Sequence, residues 1–335
     1  MALVEVTKSG LYCPHADIYI DPWRSVHRAL ITHAHSDHAR PGSKLYVSHL
    51  HTVPLLKRRL GKVNTEGVEY GKSIRYNDVN ISFHPAGHVP GSAQIRIEYR
   101  GEVCVVSGDY KLEDDGLSVP FEPVKCHTFI TESTFGLPIY KWQNQQEIFN
   151  EINAWWSANA DENITSVLIA YSLGKAQRLL MHLDSRIGQV IVHPAVFEMN
   201  EAIREFYPQL PLCLKWTNSM DLSKLKNALL IMPSAAAGDP WMSDELEYDV
   251  AFASGWMGLR GTSKWSGGKG FTLSDHADWE GLCSAVNLCG AEEIFVTHGY
   301  SSVFSKWLCE QGKNARELKT LFSGDESDVD LIHQV

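Results

Sequence analysis

The densest chemical signal is Thr32-His33-Ala34-His35-Ser36-Asp37-His38, where three imidazoles and one carboxylate crowd into six positions. The run directly follows the apolar stretch Ala29-Leu30-Ile31, so a turn leaving a strand end would aim alternate side chains at two centres. Imidazole and carboxylate donors without thiolate suit Zn²⁺, and also Mn²⁺ or Fe²⁺. A lone histidine is usually a packing residue, but four such groups at this spacing predict a metal site. Further donors end other apolar runs beside glycine. His88 lies in Ala86-Gly87-His88-Val89-Pro90-Gly91-Ser92, Asp109 follows Val105-Val106-Ser107-Gly108, and His298 sits between Thr297 and Gly299. Glycine at such points lets backbone and ion approach closely.

The elements that must hold these groups change in character along the chain. The first 135 residues read mainly as short strands punctuated by Pro41-Gly42, Gly71-Lys72 and Arg100-Gly101, a pattern expected for antiparallel pairing. After Pro138, helical stretches at Gln143–Ala158, Lys175–Leu183 and Val196–Phe206 alternate with strand runs at Val167–Tyr171 and Val190–Val192. Such alternation predicts βα units and a parallel sheet. Strand character returns near Phe271, with helices at Trp279–Val286 and Ser302–Gly312 around the strand Glu293–Thr297. The expected organisation is an outer domain, 1–138 plus 268–335, interrupted by an α/β insertion over 139–267.

Composition bounds the function classes. With 335 residues, 44% apolar and 21% charged, the chain buries a sizeable core, which excludes disorder, collagen and coiled coil as the dominant state. No run approaches the ~18 apolar residues a membrane span needs, and the opening residues lack a secretory signal pattern. Seven scattered cysteines without a Cys-x-x-Cys pair fit reduced thiols and a cytoplasmic location. A net charge of −10 argues against indiscriminate coating of nucleic acid. Basic runs nevertheless stand at Arg24–Lys62 and at Gly255–Gly270, where Arg260, Lys264 and Lys269 surround Trp256 and Trp265. These read either as solvated surface or as local anion-attracting patches.

The metal donors and their order along the chain resemble the metallo-β-lactamase fold. That resemblance implies a four-layer αββα sandwich of the α+β type with two divalent metals, Zn²⁺ or Mn²⁺, at one edge of its sheets. Residue by residue, it gives His33, His35 and His88 to one metal, and Asp37, His38 and His298 to the other, with Asp109 bridging. Asp21, closing Ile18-Tyr19-Ile20, corresponds to the supporting acid behind the site, although a turn role suits it equally. Between Asp109 and His298 lie Thr131-Glu132-Ser133-Thr134-Phe135-Gly136 and Ser274-Asp275-His276-Ala277-Asp278. These resemble the β-CASP subgroup, whose members cut RNA or DNA, with Glu132, His276 and His298 in its three extra motifs.

That chemistry is physically coherent. Hydrolysis of a phosphodiester needs a poised hydroxide, charge compensation at phosphorus and a proton for the leaving oxygen. Two metals supply the first two, Asp37 holds the water, and His276 oriented by Glu132 supplies the proton. Tyr171-Ser172-Leu173-Gly174-Lys175-Ala176-Gln177-Arg178 leaves a strand and opens a helix, so Ser172, Lys175 and Arg178 are candidate phosphate contacts. Ser92 suits either a phosphate contact or its own turn. Trp256, with Arg260 near it, suits base stacking or core packing. Similarity to bacterial DNA ligase-associated exonucleases implies a DNA exonuclease in repair. The same similarity implies a substrate of single-stranded DNA or a free end, a ligase or helicase as partner, and no membrane. A histidine at 298 is commoner in RNA-processing relatives and keeps a ribonuclease as the alternative. A thioester or lactam hydrolase would share the ligands but leave Glu132 and His276 without a role.

Overall fold

The computed structural model describes residues 3–221, 225–236, 247–259 and 268–320. In chain order these form β1 (Glu5–Val6), β2 (Leu11–Cys13), β3 (Ile18–Ile20), β4 (Arg28–Ile31), β5 (Leu45–His49), α1 (Thr52–Leu60) and β6 (Thr65–Val68). There follow β7 (Ser73–Tyr76), β8 (Val79–Pro85), β9 (Ala93–Tyr99), β10 (Glu102–Val106) and β11 (Thr128–Thr131). Next come α2 (Gln145–Asp161), β12 (Thr165–Ile169), α3 (Lys175–His182), β13 (Val190–Val192), α4 (Pro194–Ile203), β14 (Leu214–Lys215) and β15 (Leu229–Met232). The series closes with β16 (Tyr248–Ala253), β17 (Lys269–Phe271), α5 (Trp279–Cys289), β18 (Glu293–Val296), α6 (Ser301–Glu310) and β19 (Ala315–Glu317). Two compact units divide at 141/142 and at 275/276. None of the helices is long and apolar enough to cross a membrane among the described residues.

The outer unit contains two sheets, β1-β2-β3-β4-β5-β6 and β19-β18-β11-β10-β9-β8-β7. Antiparallel pairing, expected throughout, holds only in part: β3 to β6 run parallel, as do β10, β11, β18 and β19. Parallel neighbours need crossovers, and two of these were illegible. The segment from Thr32 to Lys44 is itself the crossover from β4 to β5. Helix α1 serves β5 to β6, its buried Leu55 and Leu56 lying beside the basic run Lys57-Arg58-Arg59 at the end where cations suit the helix dipole.

One core is shared by both sheets, with Leu11, Ile18, Ile20, Leu30 and Val47 from the first against Val79, Phe83, Ile95, Ile97 and Cys104 from the second. On the opposite face of the second sheet, Val103, Val105, Phe129 and Ile294 meet Leu282 and Val286 of α5 and Phe304 and Leu308 of α6. Val103-Cys104-Val105-Val106 is therefore apolar without alternation because both of its faces are covered. Strands β8, β10, β11 and β18 all point the same way. Residues after their final positions emerge at one edge, which is how His88, Asp109, Glu132 and His298 come together.

The inserted unit carries a parallel sheet in the order β14-β13-β15-β12-β16-β17, as the alternation predicted. Asn144 caps α2 by accepting from the Gln146 amide at 2.8 Å, and His193 with Pro194 opens α4. The insertion runs past the expected boundary at 267. Strand β17 pairs with β16, so residues 269–271 extend the inserted sheet, and that compact unit runs on to Asp275.

Candidate active site

The loop after β4 is built on Asp21. That residue adopts φ +41°, and its carboxylate accepts from the Thr32 amide (2.8 Å) and hydroxyl (2.5 Å). It also accepts from His38 Nδ1 at 2.7 Å. Thr32 Oγ1 stands 3.1 Å from His33 Nδ1. Both rings are thus tied through Nδ1, and Nε2 of each turns toward Asp109. Such outer hydrogen bonds fix ring orientation and tautomer in metal sites. Thr32 opens the motif, yet its role was missed because its partner lies eleven positions earlier.

Asp109 Oδ2 is the centre of the cluster. It lies 3.5 Å from His33 Nε2, 3.4 Å from His38 Nε2 and 3.8 Å from His88 Nε2. His88 Nε2 is 3.2 Å from His35 Nδ1, and Asp37 Oδ2 is 3.5 Å from His38 Nε2. The rings of His38 and His298 stack with centroids 5.2 Å apart. Two donor groups result, His33/His35/His88/Asp109 and Asp37/His38/His298. Two ligand atoms on one tetrahedral Zn²⁺ at ~2.1 Å stand about 3.4 Å apart, close to these spacings. Among the described residues, the buried atoms His33 Nε2 and Asp109 Oδ1 make no hydrogen bond, as ligand atoms would be expected to behave. The donor set therefore fits divalent cations.

Electrostatics agree with a cation-seeking pocket. Burial, then the neighbouring imidazoles, pushes His33 well below its ordinary range. Burial opposes charge on His38 too, but Asp109, Asp37 and Asp21 outweigh it and raise that ring well above its usual value. Burial alone would raise Asp109, while His38, His33 and His276 hold it well below the carboxylate norm.

Beside this cluster, His276 Nδ1 lies 3.1 and 3.0 Å from the two oxygens of Glu132. The Glu132 carboxylate is itself fixed by the Tyr110 amide (2.7 Å) and by the Thr134 hydroxyl (2.5 Å). His276 sits 4.6 Å from His88, centroid to centroid, and with Glu132 and Asp109 it forms a third compact group.

The candidate phosphate contacts are placed differently from expectation. Ser92 is buried, and its Oγ accepts from the His88 and Val89 amides at 3.1 and 3.2 Å, so it holds the turn that presents His88. Arg178 is 1% exposed. It donates to Gln145 Oε1 and to the Ser274 carbonyl, both at 2.6 Å, which makes it an internal tie of the inserted unit. Lys175 is buried too, 3.8 Å from Asp275. The Gly174 cap is occupied from within, since its amide donates to Gln177 Oε1 at 2.6 Å. Ser172 is half-buried and its carbonyl accepts from Gln177. Trp256 lies half-buried in the short turn Gly255–Leu259, and Arg260, Lys264 and Trp265 fall outside the described residues.

No family model matches the chain. A "Probable DNA ligase" of Opitutus terrae is 28% identical over 327 residues, covering 96% of this chain and 31% of that protein. Cleavage and polyadenylation specificity factor subunit 3 of Dictyostelium discoideum is 30% identical over 133 residues, 38% of this chain and 16% of its own. An endoribonuclease of Neurospora crassa is 30% identical over 147 residues, 42% and 16% of the two chains. The chain is a relative of the β-CASP nucleases. It spans less than a third of the length of each of these three proteins. A solved structure of a protein of unknown function from Enterococcus faecalis aligns with a TM-score of 0.58 at 13% identity, over 87% of this chain and 79% of its own. At that identity the likeness shows a shared mixed α/β fold.

Proposed function

We propose that the chain is a metal-dependent β-CASP nuclease that hydrolyses phosphodiester bonds of DNA from an end, on a metallo-β-lactamase-type αββα sandwich. One observation carries the reading. A single carboxylate, Asp109, faces the Nε2 atoms of His33, His38 and His88, while the His276–Glu132 pair abuts the same group. In this reading His33, His35 and His88 would hold one cation and Asp37, His38 and His298 a second, with Asp109 available to both. Divalent cations held there would lower the pKa of a water and compensate charge on the phosphoryl group.

The chain's own residues do the rest. Asp37, half-buried in its group, would orient the attacking water. Glu132 accepts the Nδ1 proton of His276, which sets the ring so that Nε2 passes a proton to the departing sugar oxygen. Asp21 and Thr32 keep the His33 and His38 rings turned inward.

DNA is favoured because similarity to the protein named as a DNA ligase runs through 96% of this chain, against 38% and 42% for the RNA-processing relatives. A ligase partner and a setting in DNA repair are proposed on that ground, and a helicase partner on the family resemblance alone. An RNA substrate is the second reading, favoured by His298 and by the endoribonuclease named above. End-labelled single-stranded DNA and RNA of one sequence, incubated with Zn²⁺ or Mn²⁺, separate the two. Mononucleotides released from one DNA terminus are expected. Rapid RNA cutting with intact DNA would transfer the assignment.

A further inference from the structure

The segment after β11 touches both halves of the site. Strand β11 pairs with β18 in parallel register, Thr131 opposite Val296, so 132–134 lie beside 297–299. Glu132 faces His276. The next residue, Ser133, is fully buried and turns its hydroxyl the other way, to the His298 carbonyl at 2.5 Å and the Thr297 carbonyl at 3.2 Å.

The backbone it holds is unusual. His298 adopts φ +59°, a left-handed conformation few non-glycine residues take, and Gly299 follows at φ +56°. A Cβ on Gly299 would stand 2.5 Å from both the Ser133 carbonyl oxygen and Thr134 Cα, so no other residue fits there without movement. The Tyr300 amide closes the turn on the Ser133 carbonyl at 3.0 Å. Two left-handed residues in succession bend the chain sharply off β18 and bring the His298 ring into parallel stacking with His38.

We infer that Ser133 is a positioning residue for the second donor group: its hydroxyl holds the His298 carbonyl in the left-handed turn that aims the imidazole at Asp37 and His38. This rests on the assignment of those residues as metal ligands. Its neighbour Thr134 acts on the other side, through Glu132, so adjacent hydroxyls serve separate parts of the site.

The test is Zn²⁺ titration of the full chain against a chromophoric chelator, with elemental analysis and thermal melting. The variants are Ser133→Ala, His298→Asn, their double variant and Thr134→Val. The unaltered chain is expected to bind two equivalents. Ser133→Ala should bind the first normally and the second about 10–100-fold more weakly, the usual effect of removing an outer support. The double variant should be no worse than His298→Asn alone. Thr134→Val should keep both equivalents while lowering turnover. Second-site affinity within about threefold of the unaltered chain in Ser133→Ala, additive losses in the double variant, or loss of its melting transition would each overturn the inference. Two equivalents bound with no nucleic acid cleaved would sink the nuclease proposal and leave this one standing. Fewer than two bound by the unaltered chain would sink this one.

Discussion

Asp21→Asn is the sharpest perturbation the site offers. Asparagine keeps the size and tolerates φ +41°, so the backbone strain of an alanine is avoided. What changes is hydrogen-bond polarity. Asp21 accepts from three donors, the Thr32 amide, the Thr32 hydroxyl and His38 Nδ1. An amide cannot satisfy all three. With its oxygen on the Thr32 amide, its NH₂ meets His38 Nδ1 and drives the ring proton to Nε2, the atom that faces Asp109. With the amide flipped, NH₂ opposes the Thr32 N–H. Either arrangement breaks at least one of the three buried hydrogen bonds to the Asp21 carboxylate, at a cost of about 1–3 kcal/mol. For a unit of this size that lowers the melting temperature by about 2–12 °C. Metal affinity should fall about 10–100-fold, with the group containing His38 affected first. Melting curves with and without chelator, together with metal titration, measure both effects. Unchanged melting and unchanged affinity would refute the assigned network.

His276→Ala and Glu132→Gln should each reduce cleavage by about 10²–10⁴-fold while metal content stays constant; loss of a metal equivalent would instead make His276 a ligand. Arg178→Met breaks a buried cation's ties to Gln145, Ser274 and Asp275, 3.6 Å away, and should cost about 3–5 kcal/mol in urea unfolding. A raised KM with unaltered stability would restore Arg178 as a phosphate contact. Burial, with His51 second, holds His49 at about 3 in the folded chain against 6.5. The unfolded chain therefore binds the extra proton between those values, so this contribution is full above about pH 6.5 and is lost as pH falls toward 3. His49→Gln should flatten that part of the acid-unfolding curve, and superimposable curves would contradict it.

The donors of the site were legible because six consecutive positions carry four of them and the others end apolar runs beside glycine. Gly87 illustrates why glycine marks such points: at φ +73° its Cβ would lie 2.2 Å from the Lys111 carbonyl oxygen. Residues whose partners are distant in sequence were not legible. Ser133 meets His298 and Thr32 meets Asp21 only once the strands are paired. Ser92 and Arg178 carry anion-binding chemistry, yet the fold itself consumes it, a distinction burial alone reveals. Composition failed at α1 because a cationic surface there obscures the two leucines that anchor the helix. Parallel pairing in the outer unit was hidden for a related reason, since the His33–His38 loop does the work of a crossover without being helical.

The most direct test follows metal content and cleavage together in one preparation. Chelator-stripped protein is reloaded stepwise with Zn²⁺ or Mn²⁺, and release of label from single-stranded DNA is recorded at each step. Cleavage is predicted to be absent in the stripped protein and to rise with occupancy of the second equivalent. Full cleavage by metal-free protein, or two tightly bound equivalents with no cleavage of DNA or RNA, would contradict the account.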